Sequence, residues 1–404
     1  MPHPARSVAI LLFSCAGAFA QTVWSAEGNT GTNNLTTVLA QVAPGDIVEL
    51  VPGTGTFPPF TLNVGIELIG PGQVVGDVVL TIPAGQRMRV ADVDFLVQGP
   101  DRVSTTGDVA FEHCTFDPGT PLANSAWLNL AIASGTVFMR DCDSLAYLSG
   151  GGVSVSGGAL CCITDCRFEG GNAWLQSPTT PVGYAGHPAL LVYSATVIAS
   201  HLTAIGGDTN CALLPAESLA SAAIEVWPAA TLRLSDSVAT GGIGWFNANF
   251  CAPQSGANAI DSAGTAIVSR CTLTGGAGYG GPNLPTHGNV TFSTELVGLT
   301  LDQGFALGQT TTATADALAT PRLLAIVGGF DATPGTVAPV NGPVFGVGGQ
   351  PFVLAALTIS SGQLSRPIVI PNLAALRYAE VWIQAFQLAG SVVEASPAAG
   401  GLVR

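Results

Sequence analysis

The chain has 404 residues, more than one ordinary core holds, so two domains or one long repeat domain with an appendage are expected. Only 9% of the residues are charged, yet the formal charge is −14, with 26 acidic residues against 12 basic ones, all of them Arg. An acidic chain without a basic run cannot displace counterions from phosphate, which excludes nucleic acid as a partner and argues against an anionic lipid surface.

Residues 1–20 read as a signal peptide: Arg6, an apolar stretch from Val8 to Ala16, and Ala18-Phe19-Ala20 as a small-x-small cleavage site. A secreted or cell-surface protein is expected. No later stretch reaches the roughly eighteen uninterrupted apolar residues of a membrane span, because Arg377 and Glu380 interrupt the most apolar C-terminal segment. Asn34 then caps a helix with apolar positions Leu35, Val38, Leu39 and Val42, ended by Pro44-Gly45. Short strands follow at Asp46 to Val51, Phe60 to Leu62, Ile66 to Ile69, Val78 to Ile82 and Arg89 to Val97.

The run Thr37-Val38-Leu39-Ala40-Gln41-Val42-Ala43-Pro44-Gly45-Asp46-Ile47-Val48-Glu49-Leu50-Val51-Pro52-Gly53, with Gly65-Ile66-Glu67-Leu68-Ile69-Gly70 after it, resembles the opening of secreted bacterial right-handed parallel β-helix proteins of the pectate-lyase-like superfold. The likeness extends to about Phe305. It implies an all-β solenoid with an N-terminal capping helix over residues 21–308. It implies little about activity, because that fold carries lyases, hydrolases, esterases, tailspikes and adhesins.

The repeat itself is most visible between Gly150 and Gly281. Short strands end on Gly170-Gly171, Gly206-Gly207, Gly241-Gly242 and Gly275-Gly276, at separations of 36, 35 and 34 residues. Aligning Val93, Cys114, Cys142, Cys166, Leu202, Ser237 and Cys271 as one inward column gives repeats of 21, 28, 24, 36, 35 and 34 residues. A bare three-strand turn needs only about 22 residues, so the later repeats carry extra loops, all on one side, after the Gly-Gly pair. One joint strains this alignment. Two residues before the column stand Thr164, Ser200, Ser235 and Ser269, but also Glu112 and Arg140, which strict alternation would bury as charges. Either a bulge resets the phase there, or the register fails upstream of Gly150.

From Gly308 a small-residue stretch, 309–320, reads as a linker. Apolar runs at Leu323 to Val327, Phe352 to Leu357, Pro367 to Ile370 and Glu380 to Leu388 predict a small antiparallel β-sandwich-like module over 321–404. Pro367-Ile368-Val369-Ile370-Pro371 and Glu380-Val381-Trp382-Ile383-Gln384-Ala385-Phe386 resemble a C-terminal module found on many exported bacterial repeat proteins, which implies surface location.

Residues flanking the inward column face outward. One such column is Asp92, His113, Asp141, Asp165, His201, Asp236 and Arg270; another is Asp94, Thr115, Asp143, Arg167, Thr203, Val238 and Thr272. Stacked about 4.8 Å apart, Asp92, Asp94, Asp141, Asp143 and Asp165 form an acidic stripe that would suit Ca²⁺ and an acidic sugar. The plainer reading, solvated charge on an acidic exported protein, is the favoured one. The long loops concentrate aromatic and amide groups suited to a glycan: Trp174, Tyr184 and His187, then Trp245, Asn247 and Asn249, then Tyr279. Ring packing between loops is the alternative. Cys211 and Cys251, both in loops, form the expected disulfide, whereas Cys114, Cys142, Cys166 and Cys271 read as buried small hydrophobes and Cys161 and Cys162 stay unassigned.

No Gly-x-Ser-x-Gly elbow or zinc-type cysteine spacing is present, and Gly276-Ala277-Gly278-Tyr279-Gly280-Gly281 opens no helix that could bind a dinucleotide. The expected function is therefore an extracellular structural and binding protein that contacts glycans through its long loops. The alternative is a polysaccharide lyase or glycoside hydrolase, with Asp141, Asp143 and Asp165 as metal ligands or acid and base and Arg167 as charge stabiliser. Against the enzymes of that superfold, the chain lacks any Lys and any Arg-x-Lys, although His287-Gly288 occurs.

Overall fold

The computed structural model describes residues 21–28, 34–97, 101–118, 128–145, 151–172, 174–175, 183–184, 186–209, 220–244, 255–279, 281–318, 320–330, 334–335, 340–345, 351–389 and 391–404. The expected signal peptide lies outside them. The rest divides into two compact units, Gln21–Ser293 and Thr294–Arg404. Both are almost wholly β.

The first unit is built on one 22-stranded sheet whose named pairings are all parallel. Its strands come in threes. Val153–Val155, Leu160–Thr164 and Arg167–Glu169 pair with Leu190–Val192, Thr196–Ser200 and Thr203–Ile205 of the next repeat. Those pair in turn with Ile224–Val226, Thr231–Ser235 and Val238–Thr240. In the following repeat the first two strands merge as Ile260–Ser269, ahead of Thr272–Thr274. Each strand thus meets its own counterpart one repeat on, and like residues stack in columns.

The inward column of the sequence holds through the whole array. Val93, Cys114, Cys142, Cys166, Leu202 and Ser237 are at most 2% exposed, and Cys271 is half-buried. Asn34 caps the helix Leu35–Leu39, its side chain accepting from the Thr37 N–H at 2.9 Å, and Leu35 and Val38 join the core. A strand not anticipated from the sequence, Val23–Ala26, precedes that helix and pairs with Ile47–Leu50.

The strained joint has a simple cause. Asp92, His113, Asp141, Asp165, His201, Asp236 and Arg270 all have φ between 51° and 56°. From His113 to Arg270 each is a left-handed corner between two strands of its repeat, and Asp92 is the equivalent bend within the strand Arg87–Leu96. Asp and His tolerate this backbone better than most side chains, which accounts for their recurrence here. The corner resets the alternation, so Ile163 and Cys166 both reach the core while Thr164 points to the opposite face of its strand. The register upstream is sound: Glu112 pairs with Arg140, and Arg140 with Thr164. Glu112 and Arg140 are both about 5% exposed and form an ion pair with each other, which removes the objection to burying them.

The Gly-Gly pairs are explained by a close approach of backbones. The residue returning from each loop slots between consecutive pairs: His187 N–H donates to the Gly171 carbonyl, Gly207 to His187, Ser221 to Gly207, Gly242 to Ser221, and Ala257 to Gly242. A Cβ on Gly207, Gly242 or Gly276 would fall on the carbonyl of the preceding repeat's glycine. Only glycine leaves room for this extra ladder, which ties the two ends of each loop together.

In the second unit a three-stranded sheet of Gly298–Leu301, Thr310–Asp316 and Gln363–Val369 shares one core with a sheet that includes Arg322–Gly329, Phe352–Ile359 and Glu380–Ala389. The expected linker, 309–320, is not a linker. Its alternating Thr and Ala make Thr310–Asp316 the central strand of the smaller sheet, burying Thr311, Ala313 and Ala315. The unit boundary accordingly falls at Ser293/Thr294 instead of residue 308.

Candidate functional site

Five of the seven corner residues pair with one another. His113 Nδ1 lies 3.3 Å from Asp92 Oδ1, and its Nε2 lies 3.1 Å from Asp141 Oδ2. The hydrogen bonds to Asp141 and Asp92 hold the imidazole pKa up at about 9, and the same bond holds the Asp141 carboxyl below its usual range. Further along, Arg270 grips Asp236 through Nε and Nη2, both at 2.6 Å. Acids and bases thus interleave along the corners, and the stripe is not a bare acidic surface.

This arrangement bears on the expected Ca²⁺ site. Asp92 and Asp141 already flank a cationic imidazole, Asp94 sits in register with Thr115, and Asp143 lies between Thr115 and Arg167. Burial raises the Asp143 pKa and the neighbouring Arg167 opposes that shift, while Arg167 itself pairs with Glu169. Among the described residues no group of three His, Cys, Asp or Glu is placed to hold a metal ion. The donor set therefore does not fit Ca²⁺: its best acids are taken by a cation of the chain itself.

The loop candidates divide. Trp245, Asn247, Asn249, Cys211 and Cys251 lie outside the described residues. Trp174 and Tyr184 are register partners in a two-residue antiparallel ladder. His187 is half-buried at the loop return, and burial lowers its pKa. Tyr279 is 57% exposed. Among the described residues the cysteines are free; Cys114, Cys161 and Cys166 are buried and their thiol pKa values are pushed up by that burial, so they act as packing groups.

The sharper constellation stands on the outer face of the sheet formed by the first strands. Alternation buries Ile224 and Val226 and turns Glu225 outward. Register then stacks Leu191, Glu225, Asp261 and His287 in one column. His287 Nδ1 lies 2.9 Å from Asp261 Oδ1. Glu225 accepts from Ser221 Oγ at 3.3 Å and from the Trp227 indole N–H at 3.5 Å. Burial is the main cause of a raised Glu225 pKa, the two hydrogen bonds oppose it, and the charge of Asp261 adds to it.

Beside this column stand two exposed rings. Tyr193 and Trp227 are 49% and 46% exposed, and their rings meet edge to face with centroids 5.5 Å apart. They sit two residues beyond Leu191 and Glu225, on the same outer face. The sequence carried the signal, since Leu191, Glu225, Asp261 and His287 recur at separations of 34, 36 and 26 residues. It was hidden because the third strands, with their Gly-Gly endings, dominate the repeat.

No family model matches the chain, and no curated protein matches it. Among solved structures, Spo0M, a sporulation control protein from Bacillus subtilis, aligns at 12% identity over 28% of this chain and 50% of that chain. Its TM-score of 0.17 carries no argument about fold or function.

Proposed function

We propose that the first unit coils as a right-handed parallel β-helix of the pectate-lyase-like kind, and that the chain is an exported surface or extracellular protein that binds glycans. The pairing of every strand with its counterpart one repeat on supports the coil. The observation that carries the binding reading is the exposed Tyr193–Trp227 pair beside the Glu225–Asp261–His287 column. Aromatic faces stack on sugar rings, and carboxylate and imidazole groups bond the hydroxyls around them. The loops return immediately before the first strands, so they border this face, and Ser221 at one return already touches Glu225.

Binding of the purified protein to a panel of polysaccharides by affinity electrophoresis tests this reading. Retardation by at least one glycan, lost in Trp227→Ala and weakened in Tyr193→Ala, is expected. Retardation unchanged by both substitutions overturns it.

A second reading, a glycoside hydrolase, is favoured by one observation: two adjacent carboxyl groups in unlike surroundings. Glu225, with its raised pKa, is suited to donate a proton, and Asp261, held by His287, to act as base. Release of reducing ends that stops in Glu225→Gln would establish it. Asp141, Asp143 and Asp165, the acids first singled out, are less suited, because Asp141 is committed to His113.

A further inference from the structure

The charge on the outer face of the first-strand sheet selects among glycans. Its stacked column is Leu191, Glu225, Asp261 and His287, and beside it stand the paired rings of Tyr193 and Trp227. The column continues upstream through Ser154 and Ala131 to an exposed Arg102, four repeats from Glu225, so no Arg stands next to Glu225 or Asp261. The basic group beside the acids, His287, is bonded to Asp261, and Asn289 donates to the Gly264 carbonyl at 2.8 Å. The chain as a whole has no Lys and a net charge of −14.

An acidic sugar placed here would bring its carboxylate against Glu225 and Asp261, with no Arg beside them and the one adjacent imidazole already bonded to Asp261. Like charges at such range are repulsive, and the acids lie only about one strand spacing, ~4.8 Å, apart along the column. A protonated amine reverses the sign. It would sit between the two carboxylates and relieve their mutual repulsion.

We propose that this face takes a polymer of amino sugars with free, protonated amines, the sugar rings stacking on Tyr193 and Trp227 and an ammonium group seated between Glu225 and Asp261. This rests on the glycan-binding reading and adds a substrate class to it. The acids are then recognition groups, and the distance of Arg102 from them, four repeats along the column, is what leaves an acidic polymer without an Arg partner beside Glu225 and Asp261.

Three hexasaccharides separate the outcomes when titrated calorimetrically against the full chain at low and at raised salt: glucosamine, N-acetylglucosamine and galacturonic acid. The glucosamine hexamer is expected to bind about tenfold more tightly than the acetylated one, as charge-assisted hydrogen bonds allow, and the galacturonate hexamer to bind least. Raised salt should narrow that gap. Asp261→Asn and Glu225→Gln should each weaken the glucosamine hexamer more than the acetylated one and so erase much of the preference, and Trp227→Ala should weaken both neutral and cationic hexamers. Asp261→Arg should turn the preference toward galacturonate. Equal binding of the acetylated and free-amine hexamers, or tighter binding of galacturonate, overturns the amino-sugar assignment and leaves glycan binding standing. Binding of none of the three overturns the amino-sugar assignment as well and, with a negative polysaccharide panel, the glycan reading too.

Discussion

Two columns of polar residues run along the same array, and they differ in where their charges are spent. In the corner column, His113 sits between Asp92 and Asp141, and Arg270 clasps Asp236. On the first-strand face, Glu225 and Asp261 stack as neighbours with one imidazole for the pair, next to two exposed rings. Similar residue types therefore serve opposite ends. A column that neutralises itself holds repeats together, whereas a column left with surplus charge on an aromatic-bearing face is available to a ligand. If that contrast is right, substitutions in and around the corners should cost stability, and substitutions on the face should not.

The largest effect is expected at Glu112 and Arg140, which pair next to the corners with about 5% of each residue exposed. Glu112→Gln or Arg140→Met alone breaks the buried pair from one side, a loss of up to about 3–5 kcal/mol. Replacing both, with Glu112→Leu and Arg140→Met, should recover most of that loss. Urea unfolding of the two single variants and the double variant reads this directly. Single variants as stable as the parent would mean that the pair is hydrated and that the corners are not held from within.

Next comes His113, where the effect depends on pH. Its folded pKa, about 9, is raised above the ordinary value of 6.5 by Asp141 and Asp92. The folded form therefore holds the proton more tightly than the unfolded form. The stabilisation is fully present below about pH 6.5 and disappears as pH rises through 9. The lowered pKa of Asp141 sets the other limit, since its share is lost as pH falls below the ordinary carboxylate range. His113→Asn keeps a side chain tolerant of the left-handed corner, so the difference isolates the charge. On the order of 1–2 kcal/mol at pH 6, discounted for partial exposure, should shrink toward zero near pH 10 in melting curves of the two proteins. A difference that grows with pH would reverse the assignment.

A smaller loss is expected from Arg270→Lys. The substitution keeps charge and backbone preference but gives up the two-pronged grip on Asp236, worth about 0.5–1.5 kcal/mol by denaturant titration.

Much of this framework was legible in the residues. The Gly-Gly period, the inward column from Val93 to Cys271, the Asn34 cap and most C-terminal strands could be read because each rests on local pattern: a fixed spacing, a two-residue alternation, a capping side chain. What could not be read rests on backbone conformation or on the stacking of distant residues. Asp165 and His201 look like outward strand residues until their positive φ places them at corners. The small-residue stretch before Asp316 looks like a linker because Thr and Ala carry little pattern, yet between two partner strands that small size is what packs. The Glu225–Asp261–His287 column is hidden in the sequence because its members belong to different repeats, and only the register of the first strands brings them together.

The smallest effects belong to the face itself, and they separate it most cleanly from the corners. Asp261→Asn exchanges a half-exposed carboxylate for an amide of the same shape, so stability should move by less than about 0.5 kcal/mol. For Glu225→Gln the sign is expected to reverse. Burial and the charge of Asp261 raise the Glu225 pKa, so ionising it works against the folded state, and the penalty grows as pH rises above its ordinary value. The Gln variant should therefore be slightly more stable than the parent at neutral pH and no different in acid, a comparison that melting curves at two pH values make. Stability given up at Glu225 while the His113 and Arg270 pairs at the corners add to it is the pattern of a residue kept for what it binds, because folding alone would favour the amide. A Glu225→Gln variant less stable than the parent at neutral pH would instead place Glu225 with His113 and Arg140, among the groups that hold the array together.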